Sequence, residues 1–133
     1  MSDSEQSTFG GMGITEDVKH SNRDVVVDHI ADVCDEELPD QAKTGDWPVQ
    51  HDHCFRRLAY DAACGDEWYD HVDGDSFVDD ADTEQLRLAL RHAARMLFQG
   101  EEYAWQLQEC SLLWRGEMEP EDAEHVYPEE VLG

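Results

Sequence analysis

Lysine is nearly missing from this chain. Its 133 residues include two, Lys19 and Lys43, and seven arginines, against 18 Asp and 15 Glu, so the formal net charge is 9 − 33 = −24. Such a shortage of positive charge excludes bulk attraction to nucleic acid or anionic lipid, since both need a basic surface. Long apolar runs are lacking too: no stretch nears the ~18 apolar residues that a membrane-spanning helix requires. The first residues, MSDSEQSTFGGMG, lack the basic start and apolar run of a secretory leader. A reduced, cytoplasmic setting is therefore expected, with Cys34, Cys54, Cys64 and Cys110 as free thiols. Cys-x-x-Cys and His-x-x-x-His pairs are absent, as is a glycine-rich phosphate loop; Gly10-Gly11-x-Gly13 precedes no strand pattern.

What remains is enough for one domain. The hydrophobic fraction is 40%, and four Trp, four Tyr and four Phe are too many for a disordered acidic polymer. The acids run from Asp3 to Glu130, whereas a nucleic-acid mimic or a calcium buffer would gather them in one surface or loop. This composition resembles that of salt-in halophiles, haloarchaea in particular. Surface carboxylates repel across a Debye length of about 10 Å at 0.1 M salt, and that length shrinks to about 3 Å at 1 M. The compact state is thus expected to prefer high salt.

The periodicity reads as all-α, a small bundle of about four helices with flexible acidic termini. Residues 1–21 read as an N-terminal tail carrying Phe9, Met12 and Ile14, residues 22–116 as the helical domain, and residues 117–133 as an acidic tail with Tyr127 as its one anchor. A first helix is predicted over 23–38, with Asn22 as N-cap, Val26, Ile30, Val33 and Cys34 as its apolar stripe, and a stop at Leu38-Pro39. Trp47 in the following linker is expected in the core. Asp52 is expected to cap a second helix over His53–Cys64 that ends at Gly65 and buries Phe55, Leu58, Ala59 and Ala62. A short helical piece over Glu67–Val72 and an acidic loop, DGDSFVDDAD, follow. Asp82-x-x-Gln85, or Thr83 as the cap itself, opens a third helix that reaches Phe98 before Gly100, with Leu86, Ala89, Leu90, Ala93, Met96 and Leu97 on one face and Arg87, Arg91 and Arg95 opposite. A fourth, over 101–115, is apolar on two sides: Tyr103, Leu107, Cys110 and Trp114 on one, Trp105 and Leu112 on the other. Such a helix is sandwiched or turns its second side to a partner.

Three constellations bear on chemistry. Residues 73–84 place acids at positions 1, 3, 7 and 12 of a calcium-type loop, but Phe77 and Val78 stand where an Asp/Asn and the turn glycine are needed, which argues against calcium. His51, His53 and Cys54 are candidate metal ligands, although H-x-H-C is not a zinc spacing; the thiols read better as core residues and the histidines as a helix entrance. Cys54, Arg57, Asp61 and Cys64 form a stripe beside the apolar face, either a site in which Arg57 and Asp61 orient a substrate or activate a thiol, or an ordinary i, i+4 ion pair. Arg87, Arg91 and Arg95 are the only locally positive surface. They either meet an acidic partner or a phosphate backbone, or pair with neighbouring acids on a solvated face.

The stretch W-P-V-x-x-D-H-C-F-R-R-L-A-Y-D at 47–61, with D-E-W-Y-D-H at 66–71 and S-L-L-W-R-G at 111–116, resembles a group of small microbial proteins of unassigned function that is well represented in haloarchaea. The resemblance covers about residues 46–116 and brings no activity with it. It implies that His53, Cys54, Phe55, Arg56, Asp61, Trp68, Trp114 and Arg115 form one structural or functional unit.

Together these readings favour a salt-adapted cytoplasmic binding or regulatory module over an enzyme, acting through protein–protein contacts at Trp105, Leu112, Arg87, Arg91 and Arg95. The alternative is a small enzyme or ligand-binding protein with a pocket at His53, Cys54, Arg57, Asp61, Trp68 and Arg115; a zinc-binding or nucleic-acid-associated regulator is a further one. No cofactor and no membrane partner are implied. Nucleic-acid contact is open only through the three arginines at high salt, and homo-oligomers are compatible with the pattern.

Overall fold

A computed structural model describes residues 15–133. The expectations for Phe9, Met12, Ile14 and the glycines at 10, 11 and 13 lie outside the described residues. The chain is all-α, and among the described residues no strand occurs: α1 (Thr15–Ala31), a π-helical turn (Asp32–Glu37), α2 (Leu38–Gln41), α3 (Asp52–Cys64), α4 (Phe77–Asp80), α5 (Thr83–Gln99), α6 (Glu101–Trp114) and α7 (Pro128–Leu132), with 3₁₀ turns at Trp68–Asp70 and Pro120–Asp122. No described helix is long and apolar enough to cross a membrane.

The first helix departs from expectation at both ends. It begins at Thr15, so Asn22 lies inside it and caps nothing. It also runs past Pro39. An interior proline removes an N–H and clashes with the carbonyl four residues back, at a cost of about 3 kcal/mol. Here a π turn precedes it: the Leu38 N–H reaches back five residues to the Val33 carbonyl, and Pro39 then falls in the first turn of α2, where no N–H is needed. This arrangement keeps Ile30, Cys34 and Leu38 buried on one line.

α3, α5 and α6 build the rest of the core. α3 is capped by His51, one residue earlier than expected, while Asp52 occupies the first turn and its carboxylate accepts from the His53 N–H at 2.7 Å. Gly65, at φ 66°, ends it in the left-handed region. Phe55, Leu58 and Ala59 pack with Leu86, Ala89, Ala93 and Met96 of α5 and with Tyr103, Ala104 and Leu107 of α6. Trp47 is buried and meets Phe55 edge-on at 6.0 Å. α5 opens with a complete capping box: Asp82 accepts from the Gln85 N–H at 2.7 Å and Gln85 accepts from the Asp82 N–H at 2.9 Å. One glycine, Gly100 at φ 85°, ends α5 and begins α6.

The segment read as a plain acidic loop contains α4. Phe77 is buried there, stacked on Tyr60 at 4.0 Å and edge-on to Trp68 at 5.8 Å. Arg23 of α1 closes its end by donating to the carbonyls of Val78, Asp79 and Ala81 at 2.9, 3.1 and 2.8 Å. Carbonyls at a helix end lack internal partners, so a guanidinium is well suited to that position. With Phe77 in the core, residues 73–84 do not form a calcium-type loop.

Residues 117–133, read as a tail, also carry structure. The 3₁₀ turn and α7 fold back on α6, and the indole N–H of Trp114 donates to the Val131 carbonyl at 3.1 Å.

Candidate functional site

The most polar point of the interior is Asp61, in the last turn of α3, where the helix dipole disfavours a negative charge. Its carboxylate is fully buried and receives four hydrogen bonds: from Arg115 Nε at 2.8 Å and its second guanidinium nitrogen at 3.1 Å, from Ser111 Oγ at 2.7 Å, and from the Trp68 N–H at 3.1 Å. A carboxylate offers about four lone-pair directions, so Asp61 is saturated within the protein. Arg115 is in turn held more firmly protonated than usual, chiefly by its bond to Asp61, and lies over the Tyr69 ring at 5.3 Å. Three segments distant in sequence are tied at one atom group.

The other residues of the expected pocket are not brought there. His53 and Cys54 start α3 and Asp61 ends it; eight residues at 1.5 Å each separate them by about 12 Å along the axis. His53 is exposed and stacks on His51 at 5.8 Å. Arg57, half-buried, donates to Gln108 of α6, while its Nε is buried without a partner. Arg56 belongs to a separate network, bidentate to Asp35 at 2.8 and 2.7 Å and donating to the Tyr60 hydroxyl at 2.7 Å. Burial pushes the Cys34 thiol up to about 12 and the Cys64 and Cys110 thiols up to about 11. Those three are protonated near neutrality, which is the opposite of an activated nucleophile. Among the described residues, no group of three or more His, Cys, Asp or Glu side chains is placed to hold a metal ion.

The second side of α6 is occupied from within the chain. Trp105 donates to the Asp46 carbonyl at 2.7 Å and stacks on His125 at 5.3 Å. Next to it the buried Glu109 carboxylate accepts the N–H groups of Glu124 and His125 at 3.0 and 2.7 Å and meets His125 Nδ1 at 2.7 Å. Burial raises the Glu109 pKa, but these bonds outweigh it and hold the carboxyl below the ordinary glutamate value. Glu109 was invisible to apolar patterning. So was Ser111, although a serine at the core edge of S-L-L-W-R-G is the kind of residue that a buried charge recruits.

The outer face of α5 is open. Arg87, Arg91 and Arg95 are exposed, and among the described residues none of them forms an ion pair. Arg95 instead covers the Tyr103 ring at 4.4 Å, and that tyrosine's hydroxyl meets His92 Nδ1 at 2.7 Å. Phe98 shares this face: at 100° per residue it falls within the arc of about 80° spanned by Arg87, Arg91 and Arg95, about 4 Å along the axis from Arg95, about 10 Å from Arg91 and about 16 Å from Arg87. It is 94% exposed, the most exposed large apolar residue described. Comparison with protein-family models, with curated proteins and with solved structures returns no match for the chain.

Proposed function

We propose that this chain is a salt-adapted cytoplasmic binding module that works through protein–protein contacts, with the outer face of α5 as its contact surface. The observation that carries the reading is the Arg87–Arg91–Phe98 face. An arginine stripe on a solvated helix ordinarily pairs with nearby acids. In a chain of net charge −24 such acids are abundant, yet Arg87 and Arg91 pair with none among the described residues. An exposed phenylalanine on the same helix face as arginines that pair with no described acid has the composition of an interface, where aromatic residues and Arg are enriched. The partner surface is acidic with an apolar recess.

Two features support this choice over the rival pocket. Asp61 and Arg115 satisfy each other, and Trp105 with Glu109 is engaged by the C-terminal segment. The salt adaptation rests on the spread of 33 acids along the chain.

The test is photo-crosslinking from position 98 in molar KCl, using Phe98→p-benzoylphenylalanine. A discrete protein adduct that disappears in the Arg87→Glu/Arg91→Glu background is the expected result. An adduct that persists there, a nucleic-acid adduct, or none at all would overturn the reading.

A further inference from the structure

Resting on the reading that the outer face of α5 is a protein contact, we infer that its occupant is the C-terminal segment of a second copy of this chain. Phe98 of one molecule seats in the groove formed by Pro120, Pro128 and Leu132 of the next, and Arg91 and Arg87 further along α5 lie against the acids of the same segment.

The two surfaces are complementary in charge. The 3₁₀ turn Pro120–Asp122 and α7 border a shallow, open groove of about 590 Å³ lined by Pro120, Glu121, Pro128, Glu129, Leu132 and Gly133. Its lining joins Pro120, Pro128 and Leu132 with Glu121 and Glu129, and Phe98 stands on the same helix face as Arg91 and Arg87, about 10 and about 16 Å further along the axis. The volume lies within the range of ligand-sized pockets, about 300–1,000 Å³, and is ample for one aromatic ring. Residues 117–133 hold Glu117, Glu119, Glu121, Asp122, Glu124, Glu129 and Glu130 and no Lys or Arg, so the segment is the acidic, apolar-recessed partner that the arginine face calls for.

Neither half is consumed by the fold. Phe98 is left wet by its own described chain, and α7 contains no buried residue, with Tyr127 at 70% and Leu132 at 51% exposure. The segment is nevertheless held in place, by Glu109 and by the Trp114–Val131 bond, so the groove exists before anything binds. A preorganised groove avoids part of the ordering cost of association. Because the two patches differ, each copy carries both halves of a heterologous contact. In molar salt the Debye length of about 3 Å removes long-range repulsion between two acidic chains while close Arg–Glu contacts and the apolar contact persist.

Sedimentation or light scattering of the full chain in molar KCl, across a concentration series, reads the association directly. Wild type is expected to exceed monomer mass. Phe98→Ser and Leu132→Ser each weaken association at least about tenfold, as an aromatic anchor and its pocket should. Both sites are exposed, and unchanged circular dichroism checks that the fold persists. Mixing the two variants restores a 1:1 complex, since one retains the groove and the other retains Phe98. A monomer at every concentration, an oligomer indifferent to both substitutions, or no complex in the mixture overturns the inference. A position-98 crosslink to residues 1–14 overturns it as well. If wild type stays monomeric while position 98 crosslinks a different protein in an Arg87- and Arg91-dependent manner, the second-copy inference fails and the contact reading stands. With neither association nor crosslink, both fail.

Discussion

Arg115 reaches across 54 residues of sequence to place two guanidinium nitrogens on the two carboxylate oxygens of Asp61, at 2.8 and 3.1 Å. Asp61 is wholly buried and the Arg115 side chain is 15% exposed, so neither charge can exchange its partner for bulk water. Stability in this molecule therefore depends on a charge pair at the junction of α3, the Trp68 turn and the end of α6.

Removing one member of that pair strands the other. Asp61→Ala is expected to cost about 3–5 kcal/mol, the range for breaking a buried pair. The double variant Asp61→Ala/Arg115→Ala should cost clearly less than the sum of the singles, because the two sites interact. Denaturant unfolding in molar KCl measures all four corners of the cycle; strict additivity would show that the pair is not coupled.

Acid should release the C-terminal segment from α6. The Glu109 carboxyl titrates below the ordinary glutamate value, so its contribution is fully present above that ordinary value and is lost as pH falls through the lowered one. Asp46, Asp122, Glu124 and His125 surround the same space. Hydrogen exchange of residues 117–133 against pH reports the release. In Glu109→Ala the segment is expected to exchange fast already at neutral pH, with the acid step gone.

Buried Cys34 and half-buried Cys64 and Cys110 should resist labelling. With Cys34 at about 12 and Cys64 and Cys110 at about 11, only about one thiol in a thousand or fewer is thiolate at pH 8. Mass spectrometry after a brief iodoacetamide pulse should find these three unmodified in folded protein and modified after denaturation. Rapid native labelling of Cys34 would contradict the burial assigned to it.

Salt is expected to govern folding as a whole. Circular dichroism at 222 nm should show a helical chain in molar KCl and progressive loss of helix on dilution, because carboxylate repulsion is screened only at high ionic strength. Equal helicity in both conditions would remove the basis for salt adaptation.

The elements legible in advance were those whose signals are local. α5 shows a capping box in Asp82 and Gln85, a single apolar stripe and a terminating glycine, and the structure places them as read. α3 differs by one residue at its start. Two long-range effects hid the rest. Whether a helix survives Pro39 depends on a π turn that only pays off because Ile30, Cys34 and Leu38 are then buried together. Phe77 looked like one apolar residue in an acidic loop until Tyr60 and Trp68 gave it a place to pack. Of the site residues, Asp61, Trp68 and Arg115 do converge, while His53 and Cys54 lie at the other end of α3.

By itself, then, the sequence determined the helical class, the glycine that ends α3, the Asp82–Gln85 start of α5 and an arginine face in a chain of net charge −24, because composition and 3.6-residue periodicity act over one or two turns. Only the tertiary structure decided that Asp61 is spent on Arg115 and Ser111, that Glu109 holds the C-terminal segment over Trp105, and that Phe98 is left in water on the helix face that carries Arg87 and Arg91. Those outcomes depend on how helices cross, and crossing brings together residues whose separation in sequence carries no trace of their contact.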